Sequence, residues 1–338
     1  MIPVNNNTNN LRTVSIAGTG VYLPEKVVTN DDLAKIVDTN DEWIYSRTGM
    51  RERRIARDDQ ATSDLAAEAA KAALADAGIS ADEVDLLIVA TLSPDMFFPS
   101  TACFVQEKIG AKNAYCYDLG AACSGSLYAI ETAKNQIACG AIETALVIGA
   151  EKMSALLDWD DRNTCVLFGD GAGAAVLKAS DTGFGIMKGC FGCDGSLADL
   201  LWVPGGGSRN PMSHEMIDQK QQYIKMAGRD VYKQAVKQMT QSVIDVLELN
   251  RVASDDIKIF VPHQANARII EAIGKRLGVM DRMFMNVAKY ANTSAAALLI
   301  AVDEVVKSGT IQQGDKMLLV AFGGGFTWGS MIVEWAKS

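Results

Sequence analysis

Histidine is nearly absent from this chain: two in 338 residues, at positions 214 and 263. Zinc sites built on clustered imidazoles are therefore poorly supplied. Long apolar runs are missing too, and no stretch reaches the roughly 20 residues that a membrane-spanning helix needs. No membrane partner is expected. The first residues, MIPVNNNTNNLRT, lack the basic and apolar regions of a signal peptide, so a cytoplasmic protein is expected. MIPVNNNTNN itself is polar and expected to fray. Positive charge is in deficit, with a net charge of −9, which argues against nucleic acid as a partner. The seven cysteines (103, 116, 123, 139, 165, 190 and 193) are odd in number and lie mostly in apolar stretches. That pattern suits reduced thiols rather than a disulfide framework. Cys190 and Cys193 form a CxxC with neither a second pair nor histidines nearby. They read as core or turn thiols, and no metal is expected.

What is present is a large globular chain, 49% hydrophobic and 22% charged, with residues enough for a sizeable core. It carries an internal repeat. ALADAGIS ends a helical pattern at Gly78 and VLELNRV ends another at Asn250; both residue types tolerate a left-handed cap. They stand 172 apart, as do Val89 and Val261 in the apolar runs LLIVA and IFVPH, and Val147 and Leu319 in ALVIGA and LLVAF. Residue identity at this offset is weak; what recurs is the order of helix cap, buried strand, helix and buried strand. We expect a polar N-terminal extension over 1–12 and two pseudo-equivalent halves, 13–180 and 181–338. Short apolar runs alternating with amphipathic helices indicate an α/β fold. Continuously apolar strands indicate sheets covered on both faces.

The halves differ in one place. After ALVIGAEKM the first carries SALLDWDDRNTCVLFGD before its last strand, GAGAAVL; the second passes almost directly from LLVAFGGGF to WGSMIVEW. The offset falls to 156 by Gly173 and Gly329. An insertion of this length, charged and bearing a Trp, is expected to be a functional loop. The same offset of 172 sets Cys123 opposite Ala295, so matching helices begin at ACSGS and NTSAA. Asn292 and its Thr-Ser neighbours are good capping residues. If the duplication packs face to face, both helix starts can meet in one cleft at the carboxyl ends of strands.

His214 lies in a polar loop pattern and reads as exposed. His263 directly follows a buried strand, where it is either a capped core residue or a catalytic group. Cys123 alone is as readily a small buried hydrophobe as a nucleophile. With His263 and Asn292 at ends facing the same cleft, the catalytic reading prevails. A helix N-terminus is expected to lower the thiol pKa, and His263 and Asn292 offer neutral donors to an oxyanion. GGGF at 323–326 places backbone amides at a further strand end, beyond what a tight turn needs.

Seven segments together resemble β-ketoacyl-acyl-carrier-protein synthase III, a family of initiating condensing enzymes in the thiolase superfamily. They are TNDEWIYSRTGMRERR (39–54), FPSTACF (98–104), AACSG (121–125), DRNTCVLFGDGAGAAVL (161–177), VPHQAN (261–266), ANTSAA (291–296) and FGGGFTWGS (322–330). The resemblance runs from about residue 13 to the end. It implies a thiolase-like, duplicated five-layer α-β-α-β-α fold, a homodimer, and a Cys-His-Asn triad at Cys123, His263 and Asn292. Asn stands at 292 where carrier-elongating relatives have a second His. FGGGFTWG lacks the second cysteine of thiolases.

The resemblance further implies an oxyanion site at the N–H groups of Cys123 and Gly324. Trp43 and Arg162 would sandwich the adenine of coenzyme A, Arg47 would meet its phosphates, and Thr39, Gly228 and Asn266 would line the pantetheine path. Phe98 would close the partner's acyl pocket, ordinary core being its alternative. Lys233, Arg268, Lys275 and Arg276 would form a basic patch for an acidic carrier protein, a solvated helix face being the alternative for the last two. The implied reaction condenses a short acyl-CoA, acetyl-CoA by expectation, with malonyl-acyl carrier protein through an acyl-cysteine. Decarboxylation supplies the carbon nucleophile, so no cofactor is expected and the CoA thioester is a substrate. Two other readings stay open here: a related condensing enzyme or acyltransferase of a natural-product pathway, and a Cys-His-Asn hydrolase of thioesters or peptides.

Overall fold

A computed structural model describes residues 11–337. Its first sheet has five strands, in the order Val14–Tyr22, Gly171–Ala179, Thr144–Glu151, Leu86–Ala90 and Tyr115–Leu119. The second runs Cys190–Cys193, Thr327–Glu334, Lys316–Gly323 and Ile257–Pro262. A parallel bridge from Phe260 to Met283 continues it on the far side, so the spatial order of the two sheets is the same. Register locates the insertion. Gly149 pairs with Gly173 and Ala321 with Gly329, so the offset is 172 on one strand and 156 on the next. Residues 152–170 join the first pair of strands and residues 324–326 the second.

The layers follow from side-chain alternation along the strands. Leu86, Ile88, Val147, Val261, Leu319 and Met331 turn toward helices Gly125–Ala138 and Ala296–Lys307, which fill the space between the sheets as one core with Leu127, Ile130, Leu298 and Val302. Leu87, Val89, Leu146 and Ile148 point the other way, under helices Thr62–Ala77 and Thr101–Ile109. Phe260, Leu318, Val320 and Ile332 pack under helices Gly228–Asn250 and Ala267–Leu277. The result is five layers, α-β-α-β-α, with both sheets covered on both faces.

Four local expectations change. The second repeat helix reaches its left-handed residue at Arg251 (φ 55°), one position after Asn250. Asn250 stays helical because its side chain accepts from Lys188 N–H and donates to the Lys188 and Val246 carbonyls. Arg12 belongs to the folded body: its guanidinium donates to the Ile137 and Ile142 carbonyls and pairs with Glu143. The expected fraying of MIPVNNNTNN lies outside the described residues. Cys190 and Cys193 sit on the short edge strand, half-buried and exposed, rather than in the core. His214 is exposed as expected, but it opens the short helix His214–Asp218. No helix of the described residues is long and apolar enough to cross a membrane.

Candidate active site

Cys123 occupies a turn, Ala122–Ser124, between strand Tyr115–Leu119 and helix Gly125–Ala138. Ala122 takes a left-handed backbone, φ 45°, which turns the chain sharply into the helix. Gly323 packs against this turn, and a Cβ there would come within 2.6 Å of the Cys123 nitrogen. Gly325 holds φ 136°, a region L residues rarely adopt. Thus two of the three glycines are required by contact and conformation.

His263 follows strand Ile257–Pro262, and its N–H donates to the Val320 carbonyl at 2.8 Å. The side chain is 2% exposed, and neither ring nitrogen has a hydrogen-bond partner among the described residues. Asn292 is held by the inserted loop: its N–H donates to Leu167 O at 3.0 Å, and its carbonyl accepts from Gly169 N–H at 3.1 Å. The loop therefore positions a site residue from the other half of the chain. Asn292 does not cap helix Ala296–Lys307. Its Oδ1 accepts from Ser294 N–H at 2.9 Å within the preceding turn, leaving the amide NH₂ as the edge for the cavity.

Cys123, His263 and Asn292 share the wall of one cavity of about 630 Å³, which extends to Trp43, Arg47, Gly228, Lys233, Asn266 and Arg268. A second cavity of about 260 Å³ meets the first at Cys123 and is walled by Leu92, Met153, Phe168, Leu201, Ile224, Ser294 and Gly324. It is an apolar chamber beside the sulfur, with Gly324 in its wall.

Electrostatics corrects the expected thiol. Burial pushes Cys123 up to about 12, and the nearby Glu151 carboxylate adds to the rise. The helix N-terminus does not offset the loss of water. Burial pushes the His263 imidazole down to about 4, because no neighbouring group replaces the solvation of its cation. The unfolded chain, with an ordinary His near 6.5, then binds more protons than the folded one between those values. This contribution to stability is complete above about 6.5 and is lost as pH falls toward 4. Replacing His263 with Gln is expected to lower the slope of unfolding free energy against pH across that window, by up to about 1.4 kcal/mol per pH unit. Urea titrations of both proteins at several pH values check it.

Trp43 lies half-buried on helix Asp41–Thr48, whose cap Asn40 accepts from Trp43 N–H. Arg47 and Arg162 both lie over its ring, with guanidinium carbons 4.6 and 5.1 Å from the centroid. A base stacked between Trp43 and Arg162 needs about 7 Å, two contact distances. Arg162, held to the Asp38 carbonyl at 2.8 Å, must therefore swing outward to admit one. Asn266 caps helix Ala267–Leu277 through Oδ1 and donates to the Arg47 carbonyl at 3.1 Å, so it ties the two helices at the cavity. Thr39 is outside the wall, with its buried Oγ1 unpartnered among the described residues. Lys275 and Arg276 are also outside, exposed in the last turn of Ala267–Leu277. Arg268 opens that helix at the cavity, so the basic residues form a stripe leading away from it. Phe98 is 84% exposed and touches neither cavity wall, which removes the ordinary-core reading.

Two polar residues beside the sulfur were not singled out in the sequence. Ser294 Oγ lies 3.5 Å from Cys123 Sγ, and Glu151 is fully buried behind it. The available signal was a carboxylate ending the wholly apolar run ALVIGA.

The description 3-oxoacyl-[acyl-carrier-protein (ACP)] synthase III matches residues 117–195, and its C-terminal counterpart matches residues 232–335. The beta-ketoacyl-[acyl-carrier-protein] synthase III of Clostridium acetobutylicum is 52% identical over 330 residues, covering 97% of this chain and 100% of the relative. The chain belongs to the 3-oxoacyl-acyl-carrier-protein synthase III family. The namesake from Caldanaerobacter subterraneus is 51% identical over 323 residues, 95% of this chain and 98% of its own. The crystal structure of 3-oxoacyl-[acyl-carrier-protein] synthase III from Aquifex aeolicus superposes with a TM-score of 0.89 at 46% identity, covering 95% of this chain and 100% of that one. Membership makes the chain an acyltransferase with the thiolase-type fold of this synthase family, the β-ketoacyl name being a synonym.

Proposed function

We propose that the cavity carries out decarboxylative condensation of a short acyl-CoA with malonyl-acyl carrier protein, the initiating step of fatty-acid synthesis. The observation that carries it is the meeting of Cys123, His263 and Asn292 on one wall, with an apolar chamber opening at the sulfur. In the first half-reaction Cys123 sulfur bonds to the acyl carbonyl carbon and the CoA thiolate leaves. The N–H groups of Cys123 and Gly324 face the oxyanion. In the second, the bond from the malonyl carbon to its carboxylate breaks and carbon dioxide departs. The electron pair becomes an enolate held by the His263 ring N–H and the Asn292 NH₂. That carbon attacks the acyl-cysteine, the new carbon–carbon bond forms and Cys123 leaves as thiolate. A His263 held neutral by burial suits a donor better than a base. The scheme needs no metal or organic cofactor.

Trp43, Arg47 and Arg162 receive the nucleotide end of CoA, with Gly228 and Asn266 along the pantetheine arm. Replacing Arg162 with Ala is expected to raise KM for acyl-CoA about two- to fivefold with kcat within twofold, since an exposed cation–π contact contributes about 0.5–1 kcal/mol. Initial-rate kinetics at saturating malonyl-carrier protein read both constants. Lys233, Arg268, Lys275 and Arg276 receive the acidic carrier protein. Phe98, exposed on an apolar loop with Met96 and Phe97, reaches the acyl chamber of a second copy in a homodimer. The nucleophile belongs to the half 13–180 and the two donors to the half 181–338, and the protein works in the cytoplasm.

The test is release of carbon dioxide from malonyl-carrier protein. Release accompanied by a β-ketoacyl carrier whose formation, though not the release itself, requires acyl-CoA is the expected result. Conversion of acyl-CoA to free acid without carbon dioxide would instead identify a thioester hydrolase.

A further inference from the structure

Glu151 ends a strand with no exposed residue and is itself inaccessible to solvent. Two segments, residues 91–93 and 294–295, converge on it. Thr91 and Ser93 donate hydroxyls at 3.1 and 2.5 Å. Leu92 and Ser93 donate N–H groups at 3.2 and 3.1 Å. Ala295 N–H approaches at 3.4 Å, and the Ser294 hydroxyl faces the carboxylate and stabilises its charge. No ionised partner meets it among the described residues: the adjacent Lys152 turns away to the Arg57 and Gln60 carbonyls. The titratable group beyond Ser294 is the Cys123 thiol, which donates toward Ser294 Oγ at 3.5 Å. The order is sulfur, hydroxyl, carboxylate, on the side of Cys123 where the chamber lies.

We infer that Ser294 passes the Cys123 thiol proton to Glu151 when the cysteine is acylated. The inference rests on the proposed acyl-cysteine chemistry. The thiol proton moves to Ser294 Oγ while the Ser294 hydroxyl proton moves to the carboxylate, leaving a thiolate and a carboxylic acid. The CoA thiolate released in that half-reaction takes its proton from solvent. When condensation expels Cys123 as thiolate, the two transfers reverse and the carboxylate is restored. The cluster carries one negative charge before and after each proton transfer and none while the cysteine is acylated, which matters because thiolate and carboxylate together would repel in a dry site. Burial holds Glu151 at about 7, well above an ordinary carboxyl, so it can gain and lose a proton near neutrality. His263, pushed down to about 4, is the weaker acceptor. The hydroxyls of Thr91 and Ser93 can each donate or accept, so both states of Glu151 remain hydrogen-bonded.

Glu151 and Ser294 are thus positioning residues for the proton, and the pH profile is the readout that distinguishes this from a packing role. The experiment measures single-turnover acylation by acetyl-CoA, and iodoacetamide alkylation of Cys123, from pH 5 to 10. Wild-type protein is expected to show a rise in both rates near neutral pH. Glu151→Gln should remove that rise and slow acylation at pH 7 about 10²-fold or more, the usual scale of proton-transfer catalysis. Ser294→Ala, which keeps every backbone hydrogen bond, should do the same even if Glu151→Gln fails to fold. The double variant should be no slower than the slower single one. Unchanged profiles in Ser294→Ala, multiplying effects in the double variant, or faster alkylation in Glu151→Gln would each overturn the relay. The last would mean that the carboxylate only repels the thiolate. Failure of the wild-type protein to form any acyl adduct would contradict the condensing function instead.

Discussion

Replacing Cys123 with Ala is expected to abolish acyl transfer and condensation, by at least about 10⁴-fold, while carbon dioxide is still released from malonyl-carrier protein. The sulfur is the one nucleophile shared by the two cavities, and no neighbouring group can form the thioester in its place. The loss is therefore on the scale of removing a covalent nucleophile. Decarboxylation draws on different groups. Its enolate is held by His263 and Asn292, whose backbones are fixed by Val320 and by residues 167 and 169 rather than by Cys123. Without an acyl-cysteine to attack, the enolate takes a proton from water. Chromatography should find acetyl-carrier protein and no β-ketoacyl product. If both half-reactions stop together, Cys123 has a role in binding the malonyl group that the geometry does not provide.

Replacing Asn292 with Ala is expected to give the converse result. Self-acylation from acyl-CoA persists, while condensation falls about 10²- to 10³-fold, the cost of removing one preorganised oxyanion donor. The split follows from the amide's placement. Its Oδ1 is engaged by Ser294 N–H, so only the NH₂ edge serves the cavity, and that edge is needed when charge develops on the malonyl thioester oxygen. Removing the side chain also frees Ser294 N–H, so a stability measurement belongs beside the kinetics. His263→Ala should behave likewise, because its ring acts as a neutral donor. Burst-phase acylation followed by slow product formation is the expected signature. Wild-type condensation in Asn292→Ala would remove the enolate role.

The duplication was legible because buried strands write themselves as apolar runs, and a constant offset between Val89 and Val261 needs no detailed contact. The insertion was legible for the same reason: a length difference between equivalent strands survives the loss of residue identity. Cys123, His263 and Asn292 were found through their places at element ends, and Trp43 and Arg162 through the resemblance. The rest required three dimensions. A low thiol pKa was expected from the helix start, but solvent exclusion depends on both cavities and on residues from distant segments. Asn292 looked like a helix cap; only the pairing of its backbone with residues 167 and 169 reveals why it faces the cavity instead. Glu151 carries no motif. Its meaning comes from Ser294, 143 positions away in the chain, which folding places between it and the sulfur.

The central claim is that one cysteine holds an acyl group between two substrates, and intact-mass analysis tests it most directly. Incubation with acetyl-CoA should add one acetyl group to the protein, located on Cys123 by peptide mapping and absent in Cys123→Ala. Addition of malonyl-carrier protein should then return the protein to its original mass as β-ketoacyl-carrier protein appears in equal amount. An adduct that discharges to free acetate, or condensation product formed with no adduct on Cys123 at any time, would contradict the account.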